Sequence, residues 1–350
     1  MKPVQSLDTS GARAVETFVH DGQRYLVVPQ LARDIPGAPA AMTQGDSGAP
    51  TLVFRWQGGR FEPYTELAVP GGEDAEFFRI GQREFLAVAS LRSGAGPYTY
   101  AVPSTIFELR GGAFVPFQSV DSFAAKQWRH FSIGDRHFLA LAQGVTGEGA
   151  SRPSCILQWD GAAFRHLQDV PSAWGYNWHF VEVDGQRLLA HADHAVPSVV
   201  LRWNGERFEP HQELEGRSGR AFRCFRAAGQ TWLAFAILQE DSWLLRWDGS
   251  RFVCHSVLCG PGAREFCWLE DRQLLVVVNF LRGTREAPVT QLASQLLRFT
   301  GGGFEPAGEF STSGATDIAQ FTQDGQEYFA ISESLGPQVR FRTPTRIWQP

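Results

Sequence analysis

Four histidine and cysteine side chains recur at one position of a repeating pattern, directly before an aromatic residue. Imidazole and thiolate are ligands that zinc prefers, so the set is a candidate metal site. Equivalent residues of successive repeats point in the same sense, each toward the next repeat, which opposes convergence on one ion. Buried cysteines and hydrogen-bonded core histidines are the alternative interpretation. The four residues are His130, His179, Cys224 and Cys267.

Histidine and tyrosine side chains cluster in one further stretch of the chain. His191 interrupts the apolar segment LLAHA, His194 follows it, and Tyr176 and His179 precede it. A general acid or base must lie beside its substrate, so Tyr176, His179 and His191 are the catalytic candidates if the protein is an enzyme. The chain contains no P-loop, dinucleotide fingerprint, GxSxG or HExxH motif, which argues against the commonest enzyme classes.

An internal repeat must position these candidates. Six segments that begin at residues 51, 104, 154, 198, 242 and 294 share one pattern, represented by TLVFRWQGGRFEPYTEL, SVVLRWNGERFEPHQEL and SWLLRWDGSRFVCHSVL. Apolar residues alternate along both halves, and a glycine-containing pair at the centre supplies the positive φ of a tight hairpin turn. Each segment is therefore predicted to be a strand, a turn and a strand.

A second predicted strand pair precedes each hairpin and carries an aromatic residue on its first strand. There are seven such aromatics, and four antiparallel strands in each of seven units describe a β-propeller blade. The sequence therefore predicts an all-β, seven-bladed propeller that forms one domain over residues 1–350. The predicted blades cover residues 11–71, 72–122, 123–172, 173–216, 217–260, 261–314 and 315–350, the last one with residues 1–8. The aromatics are Phe18, Phe78, Phe131, Phe180, Phe225, Trp268 and Phe321.

The two ends of the chain complement each other. The last repeat stops after TRIWQP, before its fourth strand, and the opening segment MKPVQSL matches the fourth-strand pattern of the other repeats. The first strand is therefore expected to complete the last blade, which removes two unpaired sheet edges.

The YLVV-type strand and the [ST]xxLxW(D/N)GxxF hairpin resemble the epitempin, or EAR (EPTP), repeat over the whole chain. The resemblance implies a seven-bladed propeller, which in the leucine-rich glioma-inactivated proteins binds a receptor ectodomain. It also implies calcium in the central channel, held in part by an aspartate that Asp74 and Asp317 match in the motifs DAEFF and DIAQF. Carboxylates completed by carbonyls and waters suit such a cation, and a solvated acidic pair is the alternative.

One face of the predicted propeller has the longer connections. Links between strands two and three span 31–50, 91–103, 144–153, 280–293 and 332–344, and long loops on a rigid scaffold are where binding usually resides. The residue four positions before each aromatic is expected to line the channel mouth on that face. Exposed aromatics there favour an apolar or planar ligand, although packing between blades explains the tryptophan equally well. The ligand-binding candidates are Gln127, Tyr176, Arg264, Tyr98, Tyr100 and Trp174.

Charge and cysteine content limit the partners. A net charge of −5 provides no electrostatic footprint for nucleic acid or an anionic membrane. No leader-like or membrane-spanning segment occurs, and five scattered cysteines do not resemble a disulfide framework, so we expect a cytoplasmic monomer with reduced thiols. We expect a binding propeller that recognises a protein or a small ligand with its long-loop face. The alternative is an enzyme of bacterial specialised metabolism with its site at the channel mouth, and either could depend on a metal.

Overall fold

A computed structural model describes residues 1–147 and 152–350. Seven four-stranded antiparallel sheets contain nearly all of the regular structure, so the prediction of an all-β, seven-bladed β-propeller is confirmed. A two-stranded sheet and the three-residue 3-10 helix Glu270–Arg272 complete the elements of the described chain. None of its helices has the length and apolar character that a membrane crossing requires. Part of the predicted 144–153 loop, residues 148–151, lies outside the described residues.

The strands follow the repeat in chain order. Strand β1 covers Lys2–Leu7. Blade 1 contains β2–β5, which cover Glu16–His20, Gln23–Val28, Thr51–Gln57 and Arg60–Leu67. Blade 2 contains β6–β9, which cover Gly72–Ile80, Arg83–Ser90, Ser104–Arg110 and Ala113–Val120. Blade 3 contains β10–β13, which cover Gln127–Ile133, Arg136–Ala142, Ser154–Trp159 and Phe164–Val170.

The next two blades have the shortest links between their second and third strands. Blade 4 contains β14–β17, which cover Gly175–Val183, Gln186–Asp193, Ser198–Trp203 and Phe208–Leu214. Blade 5 contains β18–β21, which cover Gly219–Ala227, Gln230–Ile237, Ser242–Trp247 and Phe252–Cys259.

Blade 6 carries the two-stranded sheet in its long link. Strands β22–β27 cover Ala263–Leu269, Leu274–Asn279, Arg282–Gly283, Pro288–Val289, Gln291–Phe299 and Phe304–Ser313, and β24 and β25 are the two short ones. Blade 7 contains β28–β30, which cover Ala315–Gln323, Gln326–Glu333 and Thr345–Gln349, together with β1.

The opening strand completes the last blade, as the sequence predicts. Strand β1 pairs antiparallel with β30, from Lys2 opposite Gln349 to Leu7 opposite Thr345. The Gln5 side chain then joins this strand to blade 1, because its amide donates to the Phe61 carbonyl at 2.6 Å and accepts from the Phe61 N–H at 3.0 Å. The sheet edge left by β30 is therefore paired within the same chain.

The same glutamine tie recurs between later blades. Gln168 makes both hydrogen bonds to the Phe208 backbone, and Gln212 makes both to the Phe252 backbone. The glutamine therefore has a structural role in the repeat, which is to fix one fourth strand to the next.

The chain divides into two compact units. The first contains Met1–His130, Gly283–Gln291 and Ser313–Pro350, and the second contains Phe131–Arg282 and Leu292–Thr312. Blades 1, 2 and 7 therefore belong mainly to the first unit, and blades 3 to 6 belong mainly to the second.

Each unit has its own apolar core. In the first, Leu7, Val28 and Ile347 are buried in one hydrophobic cluster. In the second, Leu188 and Phe235 belong to a comparable cluster. Burial of alternate apolar side chains on both faces of each sheet explains the continuous apolar patterns of the second strands.

Candidate functional site

The first strand of five blades contains a β-bulge close to its start. Pairing with the second strand skips one residue there, so an extra residue stands outside the regular alternation. Bulges redirect a side chain and are common beside functional sites. The extra residues are Glu73, Tyr176, Arg220, Arg264 and Thr316.

The bulges change which residues are equivalent between blades. Asp74 pairs with Ala89 in blade 2, and the residues at the same register in blades 4 and 6 are Asn177 and Glu265. Counting four positions back from the aromatic instead reaches Tyr176 and Arg264, which are the bulge residues. The aromatics Phe180 and Trp268 lie one register position nearer the strand start than Phe78. Alignment of the first strands by their pairing with the second strands identifies Asn177 and Glu265 as the residues equivalent to Asp74.

The side chains at this register connect neighbouring blades. Asp74 Oδ2 accepts the Trp128 N–H at 2.8 Å, and Asp317 Oδ2 accepts the Val15 N–H at 2.9 Å. Asn177 Oδ1 lies 3.3 Å from the Phe222 nitrogen, which donates to it. The acidic motifs DAEFF and DIAQF therefore supply acceptors that hold the first strand of the following blade.

Four carboxyl groups and one guanidinium interact within the first unit. Desolvation by burial raises the pKa of Glu16 well above its ordinary value, and the charges of Glu76, Asp74 and Asp317 raise it further while Arg129 opposes them. The pKa of Asp74 is raised well above its ordinary value by burial first and by Glu76 second. This cluster therefore holds protons more tightly than isolated carboxyl groups do.

Several carboxylate oxygens of this cluster, which would bind the predicted calcium, have partners within the protein. Asp317 Oδ1 accepts the Ile318 N–H, and Glu76 uses Oε1 for the His130 N–H and Oε2 at 3.3 Å from Arg129. Within residues 1–147 and 152–350, no three His, Cys, Asp or Glu side chains are arranged as ligands for a metal. These carboxylates therefore act as acceptors for backbone N–H groups. Calcium beside Asp74 and Asp317 stays a prediction, which metal analysis of the purified protein tests.

We expect Glu16→Gln to stabilise the protein at pH 8. The raised pKa means that the folded chain keeps a proton that the unfolded chain has lost, so this group's contribution to stability declines as pH rises through the folded pKa. One such proton changes the free energy of unfolding by about 1.4 kcal/mol per pH unit in that window. Denaturant unfolding at pH 5 and pH 8 should show a gain for Glu16→Gln that shrinks at the lower pH. Exposed Glu286→Gln is the matched control, and a Glu16→Gln protein that is less stable at pH 8 would contradict this account of the cluster.

The four candidate zinc ligands make different contacts from one another. His179 Nε2 lies 3.0 Å from the Cys224 nitrogen and accepts its N–H, while His130 stacks on Phe78 with 4.6 Å between ring centroids. Cys267 has the same register as His179, two positions beyond the residue equivalent to Asp74, whereas Cys224 lies one position further. Burial raises the pKa of the Cys224 thiol to about 12.

His191 is part of the packed interior of blade 4. It pairs opposite Trp178, stacks on that ring with centroids 3.8 Å apart, and directs Nδ1 to the Asn177 carbonyl at 3.0 Å. Burial lowers the pKa of His191 to about 4, so the imidazole is neutral at pH 7. Because neighbouring residues of a strand face opposite sides, His179 points away from the side that Trp178 and His191 share. The structure therefore does not bring His179 and His191 together as a catalytic pair.

Tyr176 lies in a different cluster, together with other ligand-binding candidates. The guanidinium carbon of Arg220 lies 3.9 Å from the centre of the Tyr176 ring, and that of Arg264 lies 5.3 Å from it. His194 Nδ1 is 2.9 Å from Arg220 Nη1, and the Trp174 ring packs edge-on to His194 at 4.6 Å. The sequence pattern predicts Trp174, Tyr176 and Arg264 as ligand-binding residues, but it misses Arg220, which is recognisable only as the bulge residue of its blade.

The remaining ligand candidates lie in the first unit. Tyr98 packs under the Arg92 guanidinium, 3.6 Å from its carbon, and donates its hydroxyl to the Gly45 carbonyl at 2.7 Å. Tyr100 packs near Phe123 with ring centroids 6.2 Å apart, and Gln127 is buried at the start of β10. Tyr98 therefore supports a loop, a role that its sequence position alone does not reveal.

Comparison with known proteins supports the repeat assignment. The sequence profile described as EPTP domain matches residues 2–57, 60–108, 113–160, 163–204 and 207–248. Two relatives, from Homo sapiens and Mus musculus, are both called thrombospondin-type laminin G domain and EAR repeat-containing protein. Each is 28% identical to this chain over 161 residues, which are 45% of the chain and 24% of the relative. The matched segment thus spans about a quarter of the relatives' length. The predicted resemblance is confirmed, and this chain belongs to the EPTP domain family.

Proposed function

We propose that this propeller is a binding module that recognises a protein partner with the loops of blades 1, 2 and 7. We call residues 31–50, 91–103 and 332–344 the loop surface. The observation that carries the proposal is the way Arg92 holds the first of these loops in one conformation. A surface held rigid before binding loses less conformational entropy when a partner docks.

Arg92 is a buried anchor within the loop surface. Its Nε donates to Ser47 Oγ at 3.0 Å, and its two terminal nitrogens donate to the carbonyls of Thr43 and Gln44 at 2.8 and 2.9 Å. The Tyr98 ring stacks on the same guanidinium, 3.6 Å from its carbon. One side chain from blade 2 thus satisfies three acceptors of the blade 1 loop, where an irregular backbone would otherwise need water.

The blade 7 loop packs on the blade 1 loop in a similar way. Asp34 accepts the N–H groups of Phe341 and Arg342 at 3.2 and 3.0 Å, and Arg340 donates to the Ala38 carbonyl at 3.0 Å. A groove of about 650 Å³ lies beside these contacts, lined by Arg33 and Arg342 among others. Charged side chains at the edge of an ordered groove suit the polar rim of a protein interface.

The proposal is tested by Arg92→Met, which keeps the apolar stem but removes all three hydrogen bonds. The immobilised wild-type chain should capture a partner, which is then purified and titrated by calorimetry. We expect Arg92→Met to bind it at least tenfold more weakly, because about 1.4 kcal/mol of lost preorganisation is a factor of ten in Kd. Arg60→Met changes an exposed arginine at the start of β5, next to the Gly58–Gly59 turn, and serves as the matched control.

The two variants distinguish binding by the loop surface from binding by the hairpin turns at the other end of the blades. Loss of binding in Arg60→Met together with unchanged binding in Arg92→Met would place recognition at the hairpin turns and overturn the proposal. Limited proteolysis provides an independent check, since cleavage within residues 31–50 should be faster in Arg92→Met than in the wild type.

A further inference from the structure

We infer that Tyr176, Arg220 and Arg264, the bulge residues of blades 4, 5 and 6, form a binding site for an anionic oxygen-acid group, such as a carboxylate or a phosphate. The site lies in the second compact unit and uses none of the loop-surface residues. It therefore goes beyond the proposed function and is tested separately.

The buried and unsatisfied Nε–H group of Arg264 is the main observation. The residue is only 7% exposed, and its Nε atom is buried without a hydrogen-bond partner among the described residues. The guanidinium instead lies near the Tyr176 ring, with its carbon 5.3 Å from the ring centre. Leaving a buried cation without an acceptor is costly, and an anion that enters beside it would supply the missing hydrogen bonds.

A second buried donor borders the same tyrosine. Trp174 Nε1 is buried and has no hydrogen-bond partner in the described part of the chain. Its ring stacks near Tyr176 with 6.2 Å between centroids. Both the indole N–H and the guanidinium can only donate, so a ligand that satisfies them must accept.

The backbone places these groups in a fixed arrangement. Each bulge adds the extra residue just after the strand begins, at Gly175, Gly219 and Ala263. Arg220 is held by its own contacts, since Nη1 lies 3.0 Å from the Gly219 carbonyl and 2.9 Å from His194 Nδ1. An arginine fixed against an aromatic face loses little rotational freedom on binding, and its planar fork matches carboxylate and phosphate oxygens.

The carboxylate next to Arg264 in sequence has a different contact. Glu265 Oε1 accepts the Phe266 N–H at 2.9 Å, and Glu265 returns to the regular pairing opposite Val278. Glu265 is therefore paired in the regular ladder of the sheet, whereas Arg264 is the unpaired bulge residue.

The buried Asp193 carboxylate beside Trp174 is directed to the backbone N–H groups of Ala173 and Trp174, both at 2.9 Å. The two guanidinium groups on the Tyr176 ring favour an anion over a neutral polar ligand.

The experiment follows the indole N–H signal of Trp174 by ¹⁵N NMR while inorganic phosphate or acetate is added at constant ionic strength. Trp174→Phe assigns the signal. We expect a saturable shift in the wild type and in the control Arg298→Met, whose arginine is exposed on a strand of blade 6. Arg264→Met should raise the Kd for the anion at least about tenfold, the usual effect of losing a charge-assisted hydrogen bond. A stronger response to phosphate or to acetate identifies the tetrahedral or planar class of anion.

Two results would overturn the inference. One is the absence of a saturable shift with either anion up to tens of millimolar, and the other is a response in Arg264→Met equal to that of the wild type. The other tryptophan signals report whether the variant is folded. If the tryptophan signals show that Arg264→Met is unfolded, Arg264→Lys replaces it. We expect Arg264→Lys to weaken anion binding only in part, because the charge stays while the planar fork of the guanidinium is lost.

Discussion

A chain that lacks residues 1–8 should be less stable than the full chain by at least about 5 kcal/mol, a large part of the 5–15 kcal/mol typical of a folded domain. The deletion removes the ladder between β1 and β30, the burial of Leu7, and both hydrogen bonds from Gln5 to Phe61. At about 1 kcal/mol per hydrogen bond and about 2 kcal/mol for the leucine, these losses reach that total. They also leave β30 as an unpaired edge, so we expect aggregation on heating.

Chemical denaturation followed by tryptophan fluorescence measures this effect. Two point variants are its controls. Gln5→Ala should cost about 1–3 kcal/mol because it leaves the Phe61 backbone groups without their partner. Val4→Thr changes a side chain that is 45% exposed and should stay within about 0.5 kcal/mol of the wild type. An unchanged unfolding midpoint in the deletion would show that the first strand does not complete blade 7.

Glu73→Ala should be the most damaging single substitution near the bulges, with a loss of about 3–5 kcal/mol. Glu73 is 1% exposed, and its carboxylate receives Arg13 Nε at 3.0 Å and Arg13 Nη2 at 2.7 Å. Truncation of one partner leaves the other charge buried with these bonds unmade, which costs more than the pair itself contributes. Glu73→Gln retains one acceptor and should lose less.

A double variant separates the two explanations of such a loss. If the cost comes from the buried Arg13 charge that has lost the Glu73 carboxylate, then Arg13→Met combined with Glu73→Leu should recover much of the stability that Glu73→Ala loses. Thermal and denaturant unfolding of the wild type, Arg13→Met, Glu73→Leu and the double variant provide the cycle. Equal losses in the single and double variants would mean that the cavity, and not the charge, determines the effect.

The blades could be predicted from the sequence because the same pattern recurs in every unit. Alternating apolar residues and the glycine turns are local, and the opening strand matches the fourth strands closely enough to identify its partner. Register within the first strands could not be predicted in the same way. A bulge adds one residue with no change in composition, and Phe180 and Trp268 occupy a different register from Phe78.

The site residues depend on contacts that span blades, which a single sequence does not display. The family resemblance identifies Asp74 and Asp317 as candidate ligands, and the structure adds the backbone N–H groups whose hydrogen bonds they accept. His191 is a candidate in the sequence because it is polar in an apolar strand, yet its stacking on Trp178 is a packing contact. Arg92 is not part of the sequence repeat, so its role as a loop anchor becomes visible only in the structure.

Hydrogen–deuterium exchange of the complex between this chain and its captured partner tests whether the loop surface binds that partner. We expect binding to slow exchange in residues 31–50, 91–103 and 332–344, and to leave exchange at the turns Asp21–Gly22 and Gly58–Gly59 unchanged. Slower exchange at those turns, with no change in the three loops, would contradict recognition by the loop surface.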